Sequence, residues 1–203
     1  MAKAKSTTKS SQPFVVCIVP MRLGSTRLKE KMLAPIGDLS LAQRSVGRAL
    51  EIFKGRSEQV FVVAAVDGEA LKAHLLEAHP KLDVVVTDPE IPSGTDRVSV
   101  ALGIFLKTKK LDSYDCRGVI NLQGDIPFAG SEGLKRCADF FLESSDNDLE
   151  KLGMITLAQE FPQDMSDQDL AAVKVIKDKW GRAIYFSRHP IPHSKIPAQE
   201  WLG

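Results

Sequence analysis

This chain has no apolar stretch long enough to span a bilayer, no cysteine framework and almost no net charge, and each absence closes off a class of protein. Its 203 residues carry 27 Lys plus Arg against 26 Asp plus Glu. No broad basic face is therefore available to neutralise a run of nucleic-acid phosphates, no nucleic-acid partner is expected, and any anion site must be local. The three cysteines, Cys17, Cys116 and Cys137, are widely spaced with no C-x-x-C pair, which argues against both a disulfide scaffold and a structural zinc site. A reducing cytoplasm fits that usage. Lys3 and Lys5 ahead of Phe14–Pro20 imitate a secretory signal, but the apolar run is short, is rich in Phe, Val and Ile, and leads into Arg22 rather than a small-residue cleavage site. With no other apolar run near membrane length, the chain reads as soluble, without membrane insertion.

What the sequence does contain is a β-α alternation. Residues 1–12 are polar and basic without periodicity and read as a disordered leader, followed by one domain over 13–203. FVVCIV (14–19), VFVVAAV (60–66), LDVVV (82–86), GVINL (118–122) and MITLA (154–158) read as buried strands. Helical patterns over Leu41–Phe53, Gly68–His79, Val98–Lys107 and Gly130–Glu143 fill the gaps. The expected fold is α/β: a mostly parallel sheet with helices on both faces, whose ligands bind beyond the carboxyl ends of the strands. AAVKVIK (171–177) and RAIYFSR (182–188) around Asp178–Gly181 add a late β-hairpin. There is no internal repeat.

The loops after the strands hold the chemistry. Pro20–Lys31 follows the first strand with four cations (Arg22, Arg27, Lys29, Lys31), Gly24, Ser25 and Thr26. Arginine forks, a lysine point charge, hydroxyl donors and a glycine that lets amides face a ligand suit a polyanion, although a solvated basic turn has the same composition. The loop matches neither the Walker A pattern nor G-x-G-x-x-G. After the fourth strand, Gln123-Gly124-Asp125 sets a carboxylate at the sheet edge, either a hard-oxygen ligand for Mg²⁺ or a plain Gly-Asp turn. Ser93-Gly94-Thr95-Asp96-Arg97 reads as a capping box opening a helix, compatible with an anion or the polar edge of a base at the same place. Arg188 and Lys195 are candidates for a substrate carboxylate or are surface charges. His189 and His193 are four apart, but the prolines between them rule out a helical metal pair. His74 and His79 read as residues of a solvated helix face.

Taken in order, P-x-R-x-x-S-T-R-L (20–28) with Lys31, S-G-T-D-R (93–97), N-L-Q-G-D-x-P (121–127), A-V-K-V-I (172–176) and Y-F-S-R (185–188) resemble the CMP-Kdo synthetases, the 3-deoxy-manno-octulosonate cytidylyltransferases. The resemblance runs from about Phe14 to Pro192. It implies a nucleotide-diphospho-sugar transferase type of fold and the joining of CTP to the sugar acid Kdo, giving CMP-Kdo and pyrophosphate for lipopolysaccharide synthesis. By matching position, Arg22, Ser25, Arg27 and Lys31 would hold the CTP phosphates. Ser93, Gly94, Thr95 and Arg97 would line the nucleotide and sugar site, Gln123 would contact substrate, and Asp125 would bind Mg²⁺. The hairpin with Lys174 and Arg188 resembles a substrate-facing, dimer-forming segment, which implies a homodimer, and Lys195 lies near a place where the family often has arginine. The chain departs from P-A-R, R-L-P-G-K and Q-G-D-E-P at Met21, at Lys29-Glu30 and at Ile126. The family ordinarily continues past the place of Gly203 into a V-D-T type segment whose aspartate is a second metal ligand. The other functions compatible with these motifs are a CTP-binding protein without turnover and an enzyme for a different sugar acid, such as amino-Kdo or sialic acid.

Overall fold

The computed structural model describes residues 12–24, 30–160 and 169–191; the expected leader, apart from Gln12, lies outside them. By contact the chain falls into two compact units, one running to Ile155 and one beginning at Thr156.

The first unit is built on β1 (Phe14–Pro20), every residue of which is buried. Two two-residue strands follow, β2 (Pro35–Ile36) and β3 (Leu39–Ser40), paired antiparallel. Then come α1 (Leu41–Ile52), β4 (Val60–Val66), α2 (Glu69–Ala78), β5 (Asp83–Val86), α3 (Gly94–Lys109), β6 (Cys116–Asn121), α4 (Ser131–Glu143) and α5 (Asp146–Glu150). The main sheet runs β5-β4-β1-β6, and each neighbouring pair is parallel. β1 is an inner strand of this parallel sheet, and helices pack against both of its faces. That is why it is a continuous apolar run and not an alternating one. Phe14, Val16 and Ile18 pack with Val98, Ala101 and Phe105 of α3. Val15, Cys17 and Val19 pack with α1, α2 and α4 through Val46, Leu75 and Leu134. Helices cover both faces, and burial lifts the Cys17 thiol to a pKa of about 12, leaving it a small core hydrophobe.

Three sequence readings change. Met154–Ala158 is not a strand: it has no ladder partner among the described residues and is exposed, Met154 at 76% and Leu157 at 54%. An apolar run becomes a strand only where a neighbour supplies the hydrogen bonds. α3 begins at Gly94 instead of near Val98, because the Ser93 hydroxyl accepts the Asp96 amide and opens the helix four residues earlier. His74 and His79 are half-buried and tie α2 to α1: His74 Nε2 lies 2.8 Å from Ser40 Oγ and His79 Nε2 2.9 Å from the Gln43 carbonyl. Ser40 and Gln43 form the capping box of α1, so the imidazoles brace a helix start.

The second unit contains the expected hairpin, β7 (Lys174–Lys177) against β8 (Ala183–Ser187). Asp178 closes the turn: it accepts the amides of Trp180 and Arg182 and the Arg182 guanidinium, while Gly181 takes φ +83.

Where β6 meets α4, a Cβ on Gly118 would stand 2.5 Å from the Phe141 ring, so that ring is seated on bare backbone. Gly118→Ala is expected to lower stability by about 1–3 kcal/mol through overpacking; an unchanged urea midpoint would contradict this seat.

Candidate active site

β1, β4 and β5 succeed one another toward one edge of the sheet, and β6 then returns to the far side of β1. The strand order therefore reverses between β1 and β6, and an open α/β sheet has its crevice beyond the carboxyl ends of the strands at that point. A cleft of ≈ 300 Å³ lies there, lined by Arg22 after β1, Lys31, the Ser93–Gly94 start of α3, Arg97, and Gln123 to Asp125 after β6. Gly124 lets the two strand ends close together. A Cβ there would lie 2.6 Å from Met21 Cγ and 2.7 Å from the Pro20 carbonyl oxygen, contacts that a larger residue cannot relieve without moving backbone.

Lys31 Nζ donates to Asp125 Oδ2 at 2.6 Å, with side chains 37% and 43% exposed. An ion pair that open contributes at most about 1 kcal/mol, so stability does not account for the pairing. What it does is bring a mobile cation and a carboxylate to one place at the mouth of the crevice. Gln123 Nε2 donates to Asn121 Oδ1 at 3.2 Å, and a Cβ on Gly94 would meet Gln123 Oε1 at 3.7 Å, so α3 begins beside the Gln123 side chain. Ser93 Oγ is engaged in capping, donating to Asp96 Oδ2 at 2.6 Å and accepting the Asp96 amide. The Gly94 and Thr95 amides occupy helix positions that have no acceptor within the helix. Thr95 itself is exposed and does not line the cleft.

Arg97 is the buried member, 2% exposed. Nη1 donates to Thr87 Oγ1 and to the Asp88 carbonyl, whereas Nη2 is buried without a partner among the described residues. An orphaned donor on a guanidinium that lines a cleft is the kind of group a ligand oxygen or ring nitrogen satisfies. The sequence placed Arg97 at the site; its burial and its Thr87 brace follow only from the packing of α3 on β5.

The cation loop is rooted on both sides. Leu23 donates its amide to Asp67 Oδ2 at 2.8 Å, a contact that sequence reading missed, although Asp67-Gly68 directly after a buried strand was a signal for it. At the other root Glu30 takes φ 53, ψ 33, the left-handed region, at the place where R-L-P-G-K has glycine. Ser25, Arg27 and Lys195 lie outside the described residues. Arg188 belongs to the second unit, where Nη1 donates to the carbonyls of Leu170 and Ala171, while Lys174 Nζ holds the carbonyls of Asp169, Ala172 and Arg188.

A doubly wound sheet with a cation-bearing loop, a carboxylate and a helix start gathered at its switch point is the architecture of a nucleotide-handling α/β protein. The chain belongs to the cytidylyltransferases: that family's model matches residues 16–201, and the curated relatives it matches include 3-deoxy-manno-octulosonate cytidylyltransferases. Similarity to the one from Bdellovibrio bacteriovorus is 33% identity over 92% of this chain and 67% of the relative. For the one from Xanthomonas axonopodis pv. citri it is 35% over 97% and 72%. The chain thus spans about two thirds of their length. Among solved structures, CMP:2-keto-3-deoxy-manno-octonic acid synthetase complexed with CTP superposes with a TM-score of 0.62 at 23% identity, over 90% of this chain and 67% of that one. That likeness establishes the fold.

Glycine at position 30 avoids the left-handed cost, about 1–2 kcal/mol for a residue with a Cβ, against the smaller entropy cost of glycine itself. Glu30→Gly is therefore expected to raise stability by up to about 1 kcal/mol, and a β-branched Glu30→Val to lower it. Chemical denaturation of the two variants checks the order.

Proposed function

We infer that this protein is a 3-deoxy-manno-octulosonate cytidylyltransferase, joining CTP to Kdo with release of pyrophosphate. The observation that carries the reading is the pairing of Lys31 with Asp125 in a switch-point cleft that also holds Arg22 and the orphaned Nη2 of Arg97, in a chain whose relatives bear that name. Those relatives do not point to the non-catalytic reading or to another sugar acid.

In this reading the Kdo anomeric hydroxyl oxygen forms a bond to the α-phosphorus of CTP and gives up its proton to solvent, the bond to the α–β bridging oxygen breaks, and pyrophosphate leaves with that electron pair. The protein supplies alignment and charge, and needs no covalent intermediate. Arg22 and Lys31 hold phosphate oxygens, with Ser25 and Arg27 of the same loop as further candidates. Arg97 Nη2 and the Gly94 and Thr95 amides are donors for the nucleotide. Gln123 is a contact for the substrates, and Arg188 and Lys195 are candidates for the sugar carboxylate.

The donor set suits Mg²⁺. Asp125 is a single half-exposed carboxylate, no cluster of three or more metal-binding side chains exists among the described residues, and Mg²⁺ that arrives with a triphosphate takes only one or two protein carboxylates. Bound there, it would neutralise charge developing on the phosphate oxygens. Lys31 can exchange Asp125 for a phosphate oxygen, leaving the carboxylate to the cation. The hairpin exposes Ile184 (66%), Tyr185 (58%) and Trp180 (69%). Apolar surface of this kind suits burial against a second copy, in a cytoplasmic homodimer.

With CTP, Mg²⁺ and Kdo, pyrophosphate release is expected, and Asp125→Asn should slow it by about a hundredfold or more. No release from the native protein, or an unchanged rate in the variant, would sink the reading. Sedimentation at micromolar concentration should return a dimer; a monomer removes the homodimer.

A further inference from the structure

Asp67 stands at the carboxyl end of β4, on the opposite side of β1 from Asp125, and has no part in the reaction described above. The ordinary task of an aspartate at this place is to cap the helix that follows, but α2 is capped at Gly68 and receives no side-chain cap bond. The carboxylate turns instead to the cation loop, where Oδ2 accepts the Leu23 amide at 2.8 Å. Oδ1 is buried with no partner among the described residues. A carboxylate kept with one oxygen unsatisfied costs the native state stability, so stability does not explain its place. Leu23 packs its side chain against the core, follows Arg22 directly, and precedes the Gly24 that opens the loop. The Asp67 bond therefore decides the direction in which the chain leaves β1, and with it where Arg22 sits in the cleft. Lys31 pairs in the same way with Asp125 beyond the end of β6.

We propose that Asp67 is a positioning residue for the nucleotide phosphates: Oδ2 holds the Leu23 amide and with it the backbone that carries Arg22 at the cleft. This role rests on the cytidylyltransferase reading. Calorimetric titration of CTP with Mg²⁺, steady-state kinetics and ligand-free melting of the native protein, Asp67→Ala and Asp67→Asn test it. Asp67→Ala is expected to weaken CTP binding about tenfold, raise KM for CTP by a similar factor and leave KM for Kdo within about twofold. Its ligand-free melting temperature should stay level or rise. Asp67→Asn, which keeps a carbonyl oxygen for Leu23, should recover part of the loss. CTP affinity within about twofold of the native value in both variants overturns the role. So does a loss shared equally by CTP and Kdo together with a lower melting temperature, since that pattern is structural. If Asp67→Ala fails to fold, Asp67→Asn decides alone: weaker CTP binding at unchanged melting temperature supports the role and native affinity overturns it. A native protein that binds no CTP removes the cytidylyltransferase reading and this role with it; native binding with unaffected variants removes only the role of Asp67.

Discussion

The close approach of β1 and β6 at Gly124 is the constraint on which the rest of the site depends. With the Pro20 carbonyl oxygen 2.7 Å from where a Cβ would be, only glycine lets the end of β6 press against the end of β1. That contact brings Gln123 and Asp125 beside Arg22 and Lys31. Met21, 3% exposed, lies directly beneath. Its long, adaptable side chain fills the space under the crevice and contributes no polar atom that would need a partner. The crevice is thus a consequence of sheet topology made tight by one missing methyl group.

Around that contact, charge and strain are distributed in a consistent way. Arg22 and Lys31 remain open to solvent, where a charge is cheap to keep, while the buried Arg97 is braced by Thr87 and the Asp88 carbonyl. Among the described residues, left-handed backbone at a residue with a Cβ occurs at Glu30, at the loop's root, and at Lys110, which ends α3, both away from the strand ends that set the geometry. Helices pack both faces of β1. The groups that must exchange partners, Lys31 and Asp125, are the half-exposed ones. Such a division of labour suits a site that handles a highly charged ligand, because the scaffold need not rearrange when the charge arrives.

Much of this was legible in the sequence. Continuous β-branched runs separated by amphipathic segments allow little besides a parallel sheet covered on both faces, since β1, β4 and β5 have no alternation that would let one face meet water. Asp178 and Gly181 likewise announce their turn by residue type. What failed to read has physical causes. Met154–Ala158 has strand composition but no ladder partner. The two-residue strands around Gly37 are too short to have a period. His74 and His79 look solvated along the helix sequence, and only the packing of α2 against α1 brings their rings to Ser40 and Gln43. The start of α3 was legible in the Ser93 cap and not in the apolar period, which begins only at Val98.

The sequence by itself determined the class of fold, the loops in which chemistry had to be sought, and the candidate residues Arg22, Lys31, Asp125 and Arg97, because periodicity and residue type are local properties. Tertiary structure alone decided which of these groups meet. The pairing of Lys31 with Asp125 spans 94 residues, the grip of Asp67 on Leu23 spans 44, and both depend on strand order. No local pattern encodes strand order; it follows from which apolar faces are buried together when the whole sheet closes.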